Sequence, residues 1–210
     1  MYKISIIILS FLLTGCLPAI FTVATSSTMA IAKDRTVRET IDDVTISSKI
    51  QTAFIKNNFK EFYTRIKIEV SQGRVLLTGR IKKEEDALQA VKIVWDTKGV
   101  LEVINELIVD KKSDKLDLAQ YTKDTMITSH IKTRIFIERR IKFVNYTIIT
   151  LNNIVYIFGI AKSDKELETV SSIASKVNGV EKVICHVKIS KPKDGNIEDG
   201  IKKEIDANAE

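Results

Sequence analysis

The second half of this chain repeats the first. Asp43-Val44-Thr45-Ile46-Ser47-Ser48-Lys49-Ile50 lines up with Asp124-Thr125-Met126-Ile127-Thr128-Ser129-His130-Ile131 at an offset of 81. Val70 to Gly79 lines up with Thr150 to Gly159 at an offset of 80, and Lys98-Gly99-Val100 with Asn178-Gly179-Val180 at the same offset. One deleted residue explains the change. Self-similarity at such a period predicts two copies of one unit, which rules out a single large core. In 210 residues, of which 44 % are hydrophobic, two small cores can be filled. The net charge of +6 falls short of the clustered basic surface of a dedicated nucleic-acid binder.

Each unit has a readable order of elements. Residues 44–57 place Val44, Ile46, Ile50 and Phe54 at mostly helical spacing, with Asp43 as the expected N-cap. Ile66, Ile68 and Val70 alternate with Lys67 and Glu69, the pattern of a half-buried strand. Gln72-Gly73 and Asn152-Asn153 both tolerate positive φ and suit tight hairpin turns. The return strands are Val75-Leu76-Leu77 and Ile154 to Ile157, each expected to close at Gly79 or Gly159. Lys82 to Asp96 carries Ala87, Leu88, Val91 and Val94 or Trp95 at helical spacing, with Gly99 as a C-terminal stop. Val100 to Val109 reads as a third strand. The expected class is therefore α+β: two tandem αββαβ units, each a three-stranded mixed sheet with two helices on one face.

The N-terminus reads as a targeting segment. Lys3 supplies a positive start, and the apolar run from Ile4 to Leu13 rises only ~15 Å as a helix, about half of a hydrocarbon core. That is the pattern of a secretory signal peptide. Leu13-Thr14-Gly15-Cys16 resembles the lipobox of bacterial lipoproteins. The resemblance implies a signal peptide at 1–15 and a diacylated Cys16 as the mature N-terminus, followed by a tether to residue 42. With Leu17 after the cysteine, it further implies an outer-membrane anchor facing the periplasm. The alternative is an uncleaved anchor, against which Pro18 and the polar run Thr25-Ser26-Ser27-Thr28 count.

The helix–hairpin–helix–strand order resembles the BON domain, as do Gln72 to Gly79 and the turns at Lys98-Gly99-Val100 and Asn178-Gly179-Val180. A lipobox followed by two such units is similar to the dual-BON outer-membrane lipoproteins. Domains are expected at 43–110 and 124–190, with a linker at 111–123 and a polar, disordered tail at 191–210. The resemblance implies no catalytic activity and no cofactor. It implies binding of anionic phospholipid through the first helix of the second domain.

Residue types on that helix fit the expectation. The second repeat carries a net charge of +4 against +1 for the first. On a helix from Asp124 to about Glu138, Ile127, Ile131 and Ile135 form a stripe that should face the sheet. Met126, Ser129, His130, Thr133 and Ile137 lie on the other side with Arg134 and Lys132, and Arg139-Arg140 follow. Apolar side chains flanked by cations suit a membrane interface, the former entering the acyl boundary and the latter meeting anionic head groups. The family pattern has Trp where this chain has Met126, which implies either weaker anchoring or a contact supplied instead by Ile137 and Phe136. The bland reading makes Met126 and Ile137 packing residues and the cations a solvated face.

Other constellations are thin. Cys185-His186 reads as a buried or half-buried thiol beside an ordinary histidine, since Cys16 is assigned to lipidation. Glu84-Glu85-Asp86, and Asp164 with Glu166, open helices where acids favour the dipole, which accounts for them without catalysis. Neither a phosphate loop, a nucleophile with a base, nor a metal-ligand set is present, so no small-molecule substrate, nucleic acid or metal is expected. A competing role is a protein–protein adaptor or chaperone-like factor for envelope assembly, working through the sheet faces or the groove between the domains.

Overall fold

The computed structural model describes residues 37–57, 64–110 and 117–190, with side chains from residue 42 onward. Cys16, the lipobox, the tether and the tail lie outside the described residues. The first repeat runs α1 (Val37–Lys56), β1 (Ile66–Ser71), β2 (Arg74–Ile81), α2 (Glu84–Trp95) and β3 (Glu102–Val109). The second runs α3 (Leu118–Ile137), a short 3-10 turn (Phe143–Asn145), β4 (Tyr146–Leu151), β5 (Ile154–Ala161), α4 (Asp164–Ser175) and β6 (Lys182–Ile189). Each sheet has three strands, the hairpin antiparallel and the third strand parallel to the second. The class read from the sequence is the class observed.

Alternation decides which residues are inside. In the first repeat Ile66, Val75, Leu77 and Ile81 meet Ile46, Ile50 and Phe54 of α1 and Ala87, Ala90 and Val94 of α2. In the second, Ile148, Val155 and Ile157 meet Ile127, Ile131 and Ile135, with Val170 and Ala174 from α4. Burying one such aliphatic side chain is worth roughly 1.5–3 kcal/mol.

Both hairpins turn through two residues at positive φ, Gln72 and Gly73 in one and Asn152 and Asn153 in the other. Here Asp43 departs from the sequence reading. Helix α1 begins at Val37, so Asp43 is no N-cap. Its buried carboxylate instead accepts the backbone N–H of Gln72 and of Gly73, each at 2.9 Å. Asp124 does the same for Asn152 and Asn153 at 2.8 and 2.9 Å. An aspartate before an apolar run looks like a cap in one dimension; only the folded unit brings the hairpin against it. Helix α3 likewise starts early, at Leu118 within the span read as linker, capped by Asp117 accepting from the Gln120 N–H at 3.0 Å.

Gly79 and Gly159 do not close their strands, which run on to Ile81 and Ala161. They stand mid-strand at φ of 140° and 142°, where a Cβ would come 2.0 Å from the carbonyl oxygen of Arg65 or Asn145. The backbones pass too closely for any other residue. Glu166 is also more than a dipole partner. It is buried, and its carboxylate accepts from the Tyr146 hydroxyl at 2.9 Å and from the Lys142 and Lys162 amides.

The faces without helices pack on each other. Leu76, Ile149, Tyr156 and Phe158 form a third buried cluster, with Ile104 and Ile184 against it. The apolar parts of these sheet faces are thereby covered. Around them Arg74 is buried, donating to Glu102 at 2.7 Å and to the His186 carbonyl at 3.1 Å, with its guanidinium 5.3 Å from the Phe158 ring centre. The bond from Arg74 holds the Glu102 carboxyl below the usual carboxylate range, and Lys188, at 3.5 Å, adds to it.

Candidate functional site

Helix α3 is fixed from one side and open on the other. Ile127, Ile131 and Ile135 are buried, as their spacing predicts, and Asp124 ties the helix to the β4–β5 turn. Thr128 adds a hydroxyl bond to Thr150 at 2.7 Å. These contacts set the rotation of the helix about its axis, and so decide what it shows to solvent.

What it shows is the set of residues singled out above. Met126, Ser129, His130, Thr133, Arg134 and Ile137 are all exposed and share the outward side of α3. Met126 is 56 % and Ile137 70 % exposed, so neither is a packing residue. Phe136 is 72 % exposed and meets Phe143 edge-on at 5.7 Å, which extends the apolar surface at the end of the helix. The Thr133 hydroxyl turns back to the Ser129 carbonyl at 2.9 Å, leaving the stripe less polar than its sequence suggests.

The cations divide. Arg140 is held by Glu138 at 2.8 Å, which lowers the Glu138 pKa and raises that of Arg140. Among the described residues, Lys132, Arg134 and Arg139 make no ion pair and remain available to an external anion. His130 stands exposed on the same side.

Beside the helix lies an open cleft of about 550 Å³, lined by Tyr121, Thr125, Ser129 and Lys132 of α3, by Thr147 of β4 and by Lys67 of β1. It exists because the two repeats pack through their sheets, and no signal in either repeat alone announces it. Cys185 is a free thiol, as expected, but it is exposed and not buried or half-buried. Among the described residues there is no cluster of His, Cys, Asp and Glu able to hold a metal, and no helix is long and apolar enough to cross a membrane.

Comparison with known proteins agrees with this architecture. The chain is 39 % identical over 153 residues to "Uncharacterized protein in gshII 5'region" of Anaplasma centrale, covering 73 % of this chain and 98 % of that protein. It is 31 % identical over 172 residues to the outer membrane lipoprotein DolP of Haemophilus influenzae, covering 82 % and 87 %. To the osmotically-inducible protein Y of Escherichia coli it is 28 % identical over 144 residues, covering 68 % and 70 %. The BON domain profile matches twice, at residues 42–111 and 123–191. The chain therefore belongs to the BON-domain family and carries two BON domains in tandem.

Proposed function

We propose that this is a lipid-anchored envelope protein, held at the outer membrane through Cys16, that binds anionic phospholipid through the exposed face of α3. It works by binding and not by catalysis. The observation that carries the reading is the composition of that face: Met126, Phe136 and Ile137 exposed, with Arg134, Lys132 and Arg139 making no ion pair among the described residues. Apolar groups that enter the acyl boundary gain hydrophobic transfer energy, while each cation near an anionic surface adds about 1 kcal/mol. The lipobox around Cys16 and the likeness to a protein named an outer membrane lipoprotein support the anchor and the compartment.

Co-sedimentation of a 33–210 fragment, which holds both domains, with anionic and zwitterionic vesicles tests the lipid reading. Binding is expected to the anionic vesicles and to fall at least tenfold in Met126→Asp with Arg134→Glu. Met126→Trp is expected to strengthen it, since Trp is the better interfacial anchor. Equal binding to both vesicle types would sink the proposal. Mass spectrometry of the mature N-terminus tests the anchor separately, with an acylated Cys16 as the expected result.

A further inference from the structure

Helix α2 exposes an apolar stripe that its fold does not require. Its buried face is Ala87, Ala90 and Val94. Leu88, Val91 and Trp95 follow one another along a neighbouring side at helical spacing; Leu88 is 65 % and Trp95 52 % exposed, and Val91 is partly buried. The sequence places Leu88, Val91 and Val94 or Trp95 at helical spacing without choosing which of them face the sheet.

The second repeat supplies an internal control. Helix α4 matches α2 at the offset of 80 and buries Val170 and Ala174 where α2 buries Ala90 and Val94. Where α2 has Leu88, Val91 and Trp95, α4 has Glu168, Ser171 and Ser175. The same architecture is thus built with polar residues at all three positions, and the exposed Leu88 and Trp95 are not required by it.

Charge along the stripe indicates what covers it. Glu84, Glu85 and Asp86 occupy the first turn and outnumber Lys83 at the N-cap, while Lys92 and Lys98 lie at the opposite end. Lys92 is paired with Asp96 at 2.6 Å. The three acids and Lys98 make no ion pair among the described residues. A surface with apolar residues in the middle, acids at one end and a cation at the other is complementary to itself when one copy is reversed. An anionic lipid surface, by contrast, would be repelled by the acids.

We propose that α2 is a self-association surface, pairing antiparallel with α2 of a second copy of this chain. Leu88 of each copy then lies over Trp95 of the other, and the first-turn acids of each face Lys98 of the other. Residue i touches j and j touches i, as a two-fold interface demands. The reversed orientation also opposes the two helix dipoles favourably. One helix pair covers less than the ~1,200 Å² of a standard stable interface, so the association is weak.

A zero-length carbodiimide coupling of the full chain in detergent micelles tests this directly. Protein grown on light and heavy nitrogen is mixed, coupled and digested, so that links between copies carry both isotopes. Mixed-isotope links from Glu84 or Glu85 to Lys98 are expected. They should fall at least tenfold in Leu88→Glu with Trp95→Ser, which installs the residues α4 already carries in a folded domain. Lys98→Glu alone should weaken association, and adding Glu84→Lys and Glu85→Lys should restore it, read by sedimentation. Absence of mixed-isotope links, or links that persist undiminished in the Leu88→Glu, Trp95→Ser variant, would overturn the proposal.

Discussion

Glu106 and His186 stand at the same position of the third strand in the two repeats, 80 residues apart, and their side chains meet at 2.8 Å. Leu76 and Tyr156, also equivalent, share the apolar cluster between the sheets. Residues that touch their own counterparts lie on a two-fold axis. The two domains are therefore packed as an isologous dimer would be, within one chain. At the axis two copies of one residue would face each other; here duplication has let them diverge into a complementary pair.

That relationship predicts an exchange experiment. Glu106→His alone sets two imidazoles against each other, and His186→Glu alone sets two carboxylates. Each should cost about 1–2 kcal/mol in urea unfolding. The double exchange restores the pair and should return stability to within about 0.5 kcal/mol of the parent, because the positions are equivalent.

Asp124 should be the more costly loss. It accepts two amides of the turn, and losing it leaves the buried Asn153 N–H without that acceptor. Asp124→Ala is expected to destabilise by about 2–4 kcal/mol, and Asp124→Asn by less. Hydrogen exchange should localise the damage to the amides of Asn152 and Asn153.

At Gly159 the backbone itself is the obstacle. A methyl group there would meet the Asn145 carbonyl oxygen at 2.0 Å, at a φ of 142°. Gly159→Ala should lower stability by more than about 3 kcal/mol, measured by thermal unfolding, and Gly79→Ala should behave alike.

Stability should also fall in alkali. Burial, together with the bond to Glu166, pushes the Tyr146 phenol well above the ordinary tyrosine range. The unfolded chain loses that proton near pH ~10 while the folded chain keeps it. With fewer protons bound in the unfolded state, stability declines as pH rises past that point. Tyr146→Phe should flatten part of the decline; Tyr156, raised by burial beside Glu106, and the Cys185 thiol, raised by desolvation, contribute as well. Unfolding followed from pH 8 to 12 would show a decline unchanged by Tyr146→Phe if this attribution is wrong.

Much of the fold can be read from residue order because its determinants are local. Alternation in β1, the glycine and asparagine turns, and the isoleucines of α3 at helical spacing each act within a few residues. Duplication then doubles every signal. The outward side of α3 was legible for the same reason, since burying Ile127, Ile131 and Ile135 orients the rest of the helix. Local pattern failed where a residue acts at a distance. Asp43 and Glu166 looked like helix-end acids, and Gly79 like a strand stop, because their partners are separated along the chain and adjacent only in space.

The sequence by itself determined that two αββαβ units exist, where their helices and hairpins lie, and which side of α3 faces outward. All of these follow from periodicity and turn chemistry. Tertiary structure decided how the units meet. Arg74, Glu102, Glu106, His186 and Lys188 carry no signature in either repeat, since alternation shows which residues share a strand face without naming what will cover it. It also decided that Leu88 and Trp95 stay outside: one helix offers two apolar stripes, and only packing against the sheet chooses between them.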